Sequence, residues 1–143
     1  MDNKLSTDEM EIKIINAKNI NEILNEEFDS NAFPEYFNKL LDKYKTNPHR
    51  LGFVVLSKSY ISKLAKYDVE VHPTKNAILK IALALKANLD ETQQLLKLSG
   101  NQLLYPKNKR DSIIMWAITH NISFMDTDEM LMSNGEKRLQ DGD

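Results

Sequence analysis

The chain is 143 residues long, 41% hydrophobic and 28% charged, with 4 Gly, 4 Pro and no Cys. That length suits one compact domain or a domain with a short arm, and the scarcity of Gly and Pro favours helices over a turn-rich β-sandwich. The absence of Cys excludes a disulfide scaffold, a thiolate zinc site and a thiol nucleophile. Three scattered histidines (His49, His72, His120) make a poor metal set, so neither a metal nor a cofactor is expected. The Met1-Asp2-Asn3-Lys4 start lacks the basic and apolar regions of a signal peptide, and no apolar run approaches the roughly 18 residues of a membrane span. A soluble, cytoplasmic protein without membrane contact is the expectation.

Net charge is −2, but its distribution is uneven. Residues 1–38 carry three Lys and nine acids, residues 39–80 nine bases and three acids, and residues 81–143 seven bases and nine acids. A basic middle between acidic ends is either a solvated Lys-rich surface or the footprint of an anionic partner.

In chain order, residues 1–30 read as an acidic arm. Met10, Ile12 and Ile14 alternate with polar residues, which fits a short strand or an irregular helix. Asn19 followed by Glu22 reads as a helix start, with Ile20, Ile23, Leu24 and Phe28 as an apolar docking face. Phe33, Phe37, Leu40, Leu41 and Tyr44 then form one apolar stripe over three turns, with Pro34 near the start and Pro48 beyond the end. From Pro48 the pattern restarts through Leu51, Val54 and Val55. A second short helix follows from Tyr60 to Tyr67, capped by Ser57 or Ser59, with Ile61 and Leu64 facing inward. Two helices of about two turns separated by about three residues have the helix-turn-helix layout.

Thr74 can cap a long helix containing Ile78, Leu79, Ile81, Ala82, Leu83 and Leu85. It is apolar over most of its circumference and should be the buried centre. Asn88 reads as a left-handed stop, and Asp90 with Gln93 as the next capping box. Residues 101–110 read as a loop, Asp111 as the start of another helix, and residues 127–134 as a last short one. Asp126, Asp128 and Glu129 read as helix-start charges, Trp116 and Tyr105 as packing residues between the C-terminal helices and the main bundle, and residues 136–143 as a frayed tail.

The stretch from Leu51 to Thr74, with the frame Leu51, Val54, Leu56 and then Ser57-Lys58-Ser59-Tyr60-Ile61-Ser62-Lys63-Leu64, resembles the helix-turn-helix of the Cro and lambda-repressor-like regulators. Residues 18–139 further resemble a Gram-positive group of that family, through Pro73-Thr74-Lys75, Glu91-Thr92-Gln93, Leu95-Leu96-Lys97 and the block Leu104-Tyr105-Pro106-Lys107-Asn108-Lys109-Arg110-Asp111. The resemblance implies an all-α fold: an acidic N-terminal arm at 1–30, a five-helix helix-turn-helix core at 31–100, a C-terminal helical extension at 101–135 and the tail at 136–143. It also implies a sequence-specific transcriptional regulator that reads the DNA major groove with the helix near residues 59–67, and a homodimer, since two-fold operators need paired recognition helices.

On that reading Ser57, Lys58, Ser59, Tyr60 and Lys63 face base edges and phosphates, while Lys66, Lys75 and Arg50 contact phosphate. The chain departs from the family pattern at the same element. Val55 and Tyr67 stand where Gly is usual, the 68–72 loop is long and holds Asp68 and Glu70, and Lys75 replaces an Arg. These departures favour the alternative, a protein–protein interaction module on the same fold that uses the arm or the C-terminal helices and binds no DNA. No nucleophile motif or glycine-rich phosphate loop is present, so no enzyme is expected.

Overall fold

The computed structural model describes residues 5–26, 32–52, 57–66 and 72–141, and every regular element among them is a helix. The chain divides into two compact units, Met1–Ser30 and Asn31–Asp143. Among the described residues no helix is long and apolar enough to cross a membrane.

In the first unit, α1 (Thr7–Asn16) is a helix, which resolves the strand-or-helix alternative. A capping box decides it: Ser6 Oγ accepts from the Glu9 N–H at 3.1 Å, and the Glu9 carboxylate accepts from the Ser6 N–H at 3.4 Å. A single turn, α2 (Asn21–Leu24), starts after Ile20 rather than at an Asn19 cap. The Glu22 carboxylate instead accepts from the Lys18 and Asn19 N–H groups. Those bonds hold its carboxyl below the usual carboxylate value. Lys13 pairs with Glu26. No residue of α1 or α2 is buried. Of the expected docking face, Ile20 and Leu24 are exposed, Ile23 is half-buried and Phe28 lies outside the described residues.

The second unit holds α3 (Ala32–Lys43), α4 (Pro48–Gly52), α5 (Lys58–Leu64), α6 (Lys75–Leu85), α7 (Leu89–Leu98), α8 (Lys109–Thr119), α9 (Phe124–Ser133) and a 3₁₀ turn at Leu139–Asp141. Helix α6 is its centre. Thr74 Oγ1 caps it by accepting from the Ala77 N–H at 3.1 Å, and Ile78, Leu79, Ile81 and Ala82 are fully buried. It packs against α4, α7, α9 and the terminal turn, so its apolar circumference is covered from several sides. The stripe of α3 buries Phe37, Leu40 and Leu41 against this core.

Several boundaries differ from the sequence reading. Helix α6 stops at Lys86, which takes the left-handed conformation (φ 59°, ψ 38°) expected of Asn88. Asn88 is freed to cap α7, and its capping box closes with Glu91, not Asp90 with Gln93. Helix α8 is capped by Asn108 and α9 by Ser123, each three residues before the expected first helical residue or a little more. Chains of Asn, Asp and Ser offer competing caps, and the one that lets the apolar face seat fully is used.

The tail does not fray as far as it is described. Leu139 is fully buried, and Asp128 accepts from the Leu139 N–H at 2.7 Å and from the Gln140 N–H at 3.2 Å. Asp128 is therefore a buried anchor for the terminal turn instead of an exposed helix-start charge.

Candidate nucleic-acid interface

Helix α5 is only seven residues long, and its position rests on three local devices. Ser57 Oγ accepts from the Tyr60 N–H at 3.2 Å, closing the first turn. Ile61 and Leu64 are buried and hold one face to the core. At the far end, the Asn38 amide of α3 donates to the carbonyls of Ala65 at 2.8 Å and Pro34 at 2.9 Å, satisfying a carbonyl that the helix end leaves open. Helix α4 packs closely against α5, with Leu51 buried and the Arg50 N–H capped by Asn47 at 3.0 Å. The Arg50 side chain is exposed.

The opposite face of α5 is polar. Ser59 and Lys63 are exposed one helical turn apart, and Lys66 is exposed just past the helix end. Ser57 is also exposed; its oxygen accepts the cap bond, which leaves its hydroxyl hydrogen available as a donor. Lys58 opens the helix, and its side chain lies outside the described residues, as do Val54, Val55, Leu56, Tyr67 and the loop acids Asp68 and Glu70.

Two of the expected contact residues are placed differently. Tyr60 is half-buried and packs against the core, because it sits one turn from Leu64 and beside Ile61. Lys75 is turned inward: its ammonium lies 3.2 Å from the Asp111 carboxylate and 3.4 Å from the Leu103 carbonyl. Asp111 is buried and also accepts from the Tyr105 N–H at 2.9 Å. A buried carboxylate needs a counter-charge or hydrogen-bond donors; at Asp111, Lys75 supplies the charge and the Tyr105 N–H a bond.

That ion pair belongs to a seam that stitches residues 101–111 to α6 and α7. Gln93 exchanges two hydrogen bonds with the Leu104 backbone, at 2.8 and 3.0 Å. Asn101 donates to the Pro73 carbonyl at 2.9 Å, and Arg110 donates to Asn76 at 3.0 Å and to the Lys137 carbonyl at 2.8 Å. The block Leu104–Asp111 is thus a structural joint that fixes the start of α6.

A second electrostatic joint ties α3 to α7. The buried Glu91 carboxylate accepts from the Lys43 ammonium at 2.6 Å, the Tyr44 hydroxyl and the Asn88 N–H. Burial by itself raises the Glu91 pKa; the bonds from Lys43, Tyr44 and Asn88 outweigh it and hold the carboxyl below its ordinary value. The same pairing raises Lys43. Because Asn38 on α3 holds the end of α5, this joint also supports the polar face.

Trp116 and Tyr105 do not pack between the C-terminal helices and the bundle; they are 51% and 60% exposed. Their place in the interior is filled by Ile114, Ala117 and Ile118 of α8, which lie on its other face. Among the described residues no group of three His, Asp or Glu lies close enough to hold a metal ion. Comparison with known protein families, curated proteins and solved structures finds no match for this chain.

Proposed function

We propose that this chain is a sequence-specific DNA-binding transcriptional regulator with a lambda-repressor-like helix-turn-helix core, in which α4 and α5 form the motif and α5 enters the major groove. The observation that carries the reading is the sidedness of α5. Ile61 and Leu64 are buried, while Ser59, Lys63 and the following Lys66 are exposed together on the solvent side. A short, well-capped helix with hydroxyls and ammoniums outward has the donors that phosphates and guanine acceptors require. Residues 39–80 carry nine bases and three acids, which gives this part of the chain a favourable field for the duplex. With Tyr60 and Lys75 engaged inside the fold, the contact set is Ser57, Lys58, Ser59, Lys63, Lys66 and Arg50.

The test is binding to a labelled duplex at two salt concentrations. Lys58→Ala with Lys63→Ala should weaken binding at least tenfold, about 1.4 kcal/mol, and reduce its salt dependence, with the unfolding midpoint retained. Unchanged affinity refutes α5 as the reading helix. A second reading, a protein–protein interaction module without DNA, draws on the net charge of −2 and on Ile12 and Ile15 of α1, which are 60% and 71% exposed. Absence of duplex binding even at low salt would select it.

A further inference from the structure

Helices α8 and α9 form an antiparallel hairpin, since the Lys109 ammonium at the start of α8 donates to the Asn134 carbonyl at the end of α9, at 2.7 Å. Along the outer side runs an open groove of about 390 Å³, lined by Ser112, Ile113 and Trp116 of α8 and by Met130 and Asn134. We infer that this groove is the surface on which a second copy of the chain docks, the two hairpins crossing about a two-fold axis near Ile113, Trp116 and Met130.

The centre has the chemistry of an interface core. Trp116 is 51% exposed beside Ile113 and Met130, an arrangement of the residue types enriched where proteins associate. Its indole is also pre-ordered. His120, one turn on, stacks against it with ring centroids 4.2 Å apart and planes 21° apart. The His120 Nδ1 lies 2.8 Å from the Trp116 carbonyl oxygen, which fixes the imidazole in place. A side chain held before docking loses less freedom when it docks.

The ends of the groove select the occupant. Lys109, Ile113, Trp116 and His120 follow one another at helical spacing on α8, and Asp126, Met130 and Asn134 do so on α9. One end therefore carries the Lys109 ammonium and the other the exposed Asp126 carboxylate. An isologous pairing whose two-fold axis runs across the hairpin lays each end of one copy over the opposite end of its partner, so Lys109 meets the partner's Asp126 twice, flanking an apolar centre. The groove is complementary to itself in charge and in apolar character. This inference does not depend on DNA binding, so either can fail alone.

The experiment uses the full chain, whose single tryptophan is Trp116. Molecular mass by light scattering and Trp emission are followed from micromolar to near-millimolar concentration. The expected result is a monomer–dimer transition with a parallel blue shift of the emission. Trp116→Ala should weaken dimerisation at least about tenfold without altering the far-ultraviolet spectrum. Lys109→Glu and Asp126→Lys should each weaken it, and the double variant should recover most of the loss. Ile113→Cys, in a chain that otherwise lacks Cys, should form an inter-chain disulfide across the axis. A monomer at every concentration overturns the inference, and a blue-shifted emission in that monomer assigns the groove to the chain's own residues. A dimer indifferent to these substitutions overturns it as well.

Discussion

Asp128→Ala isolates the device that seats the C-terminal turn. Its carboxylate is buried and accepts from two consecutive N–H groups, at 2.7 Å on the buried Leu139 and 3.2 Å on Gln140. Hydrogen bonds to a charged group contribute about 1.5–3 kcal/mol each, and the longer, partly solvated one belongs at the low end or below. The substitution also leaves the Leu139 N–H buried without an acceptor. A loss of about 2–4 kcal/mol follows. Leu139→Ala, at a fully buried site in the main core, should cost a similar 2–4 kcal/mol. The two losses should not add. Once the turn is unseated by either change, the other group has little left to lose, so the double variant should fall short of the sum by about 1–2 kcal/mol. Urea unfolding of the four chains gives these quantities. Limited trypsin digestion gives a local readout at Lys137 and Arg138, where cleavage should accelerate in both single variants. Asp128→Ala within about 0.5 kcal/mol of wild type, with unchanged cleavage, would refute the anchoring role. Strict additivity would show that the carboxylate and Leu139 do not share one seat.

Leu83→Ala, at a 5% exposed position of the central helix, should destabilise by about 2–4 kcal/mol, and an unchanged unfolding midpoint would remove α6 from the centre of the core. Glu91 has a folded pKa below its ordinary 4.5, so its stabilisation is present above that value and is lost as pH falls through the lower folded value. Glu91→Gln should flatten the acid limb of the stability profile as pH falls below 4.5, and an unaltered limb would place the acid sensitivity elsewhere. Lys75→Ala should lower stability by about 1–3 kcal/mol through the uncompensated Asp111, and Asp111→Asn should remove most of that penalty. A full effect of Lys75→Ala in the Asp111→Asn background would show that the ion pair is not the cause.

Periodicity carries the helical class of this chain because apolar spacing reports burial directly. The α3 stripe and the all-round apolar α6 are both legible in the sequence and both lie in the core. Caps are less legible, because Asn88, Asp90, Asn108 and Asp111 are all chemically competent and the choice depends on how each helix seats. The α1 helix illustrates a weaker kind of ambiguity. The alternation of Met10, Ile12 and Ile14 imitates a strand, while the deciding Ser6–Glu9 box is a local polar motif that periodicity does not count. Asp128 and Trp116 invert the default expectation for their residue types. The carboxylate is buried because two backbone N–H groups from a sequence-distant turn converge on it, and the indole is exposed because Ile114, Ala117 and Ile118 already fill the inner face of α8.

The candidate site shows where reading by position stops being enough. Ser59, Lys63 and Lys66 are exposed as the opposition to Ile61 and Leu64 requires, since one helix of seven residues has two sides and the apolar side is spoken for. Lys75 follows a different logic. It opens α6 among the basic residues of the middle segment, so charge counting assigns it to the same anionic partner as Lys63. Its surroundings differ in one respect that no local pattern reveals: Asp111, 36 residues later, is buried within 3.2 Å of it. Desolvating that carboxylate without a cation would cost more than the pair loses in flexibility, so the ammonium is held where the fold needs it. A lysine with a buried carboxylate to neutralise acts first in the architecture. Lys63 faces no such demand on its own helix, which contains no acid; it is exposed, and on the proposed function it is available to an external anion.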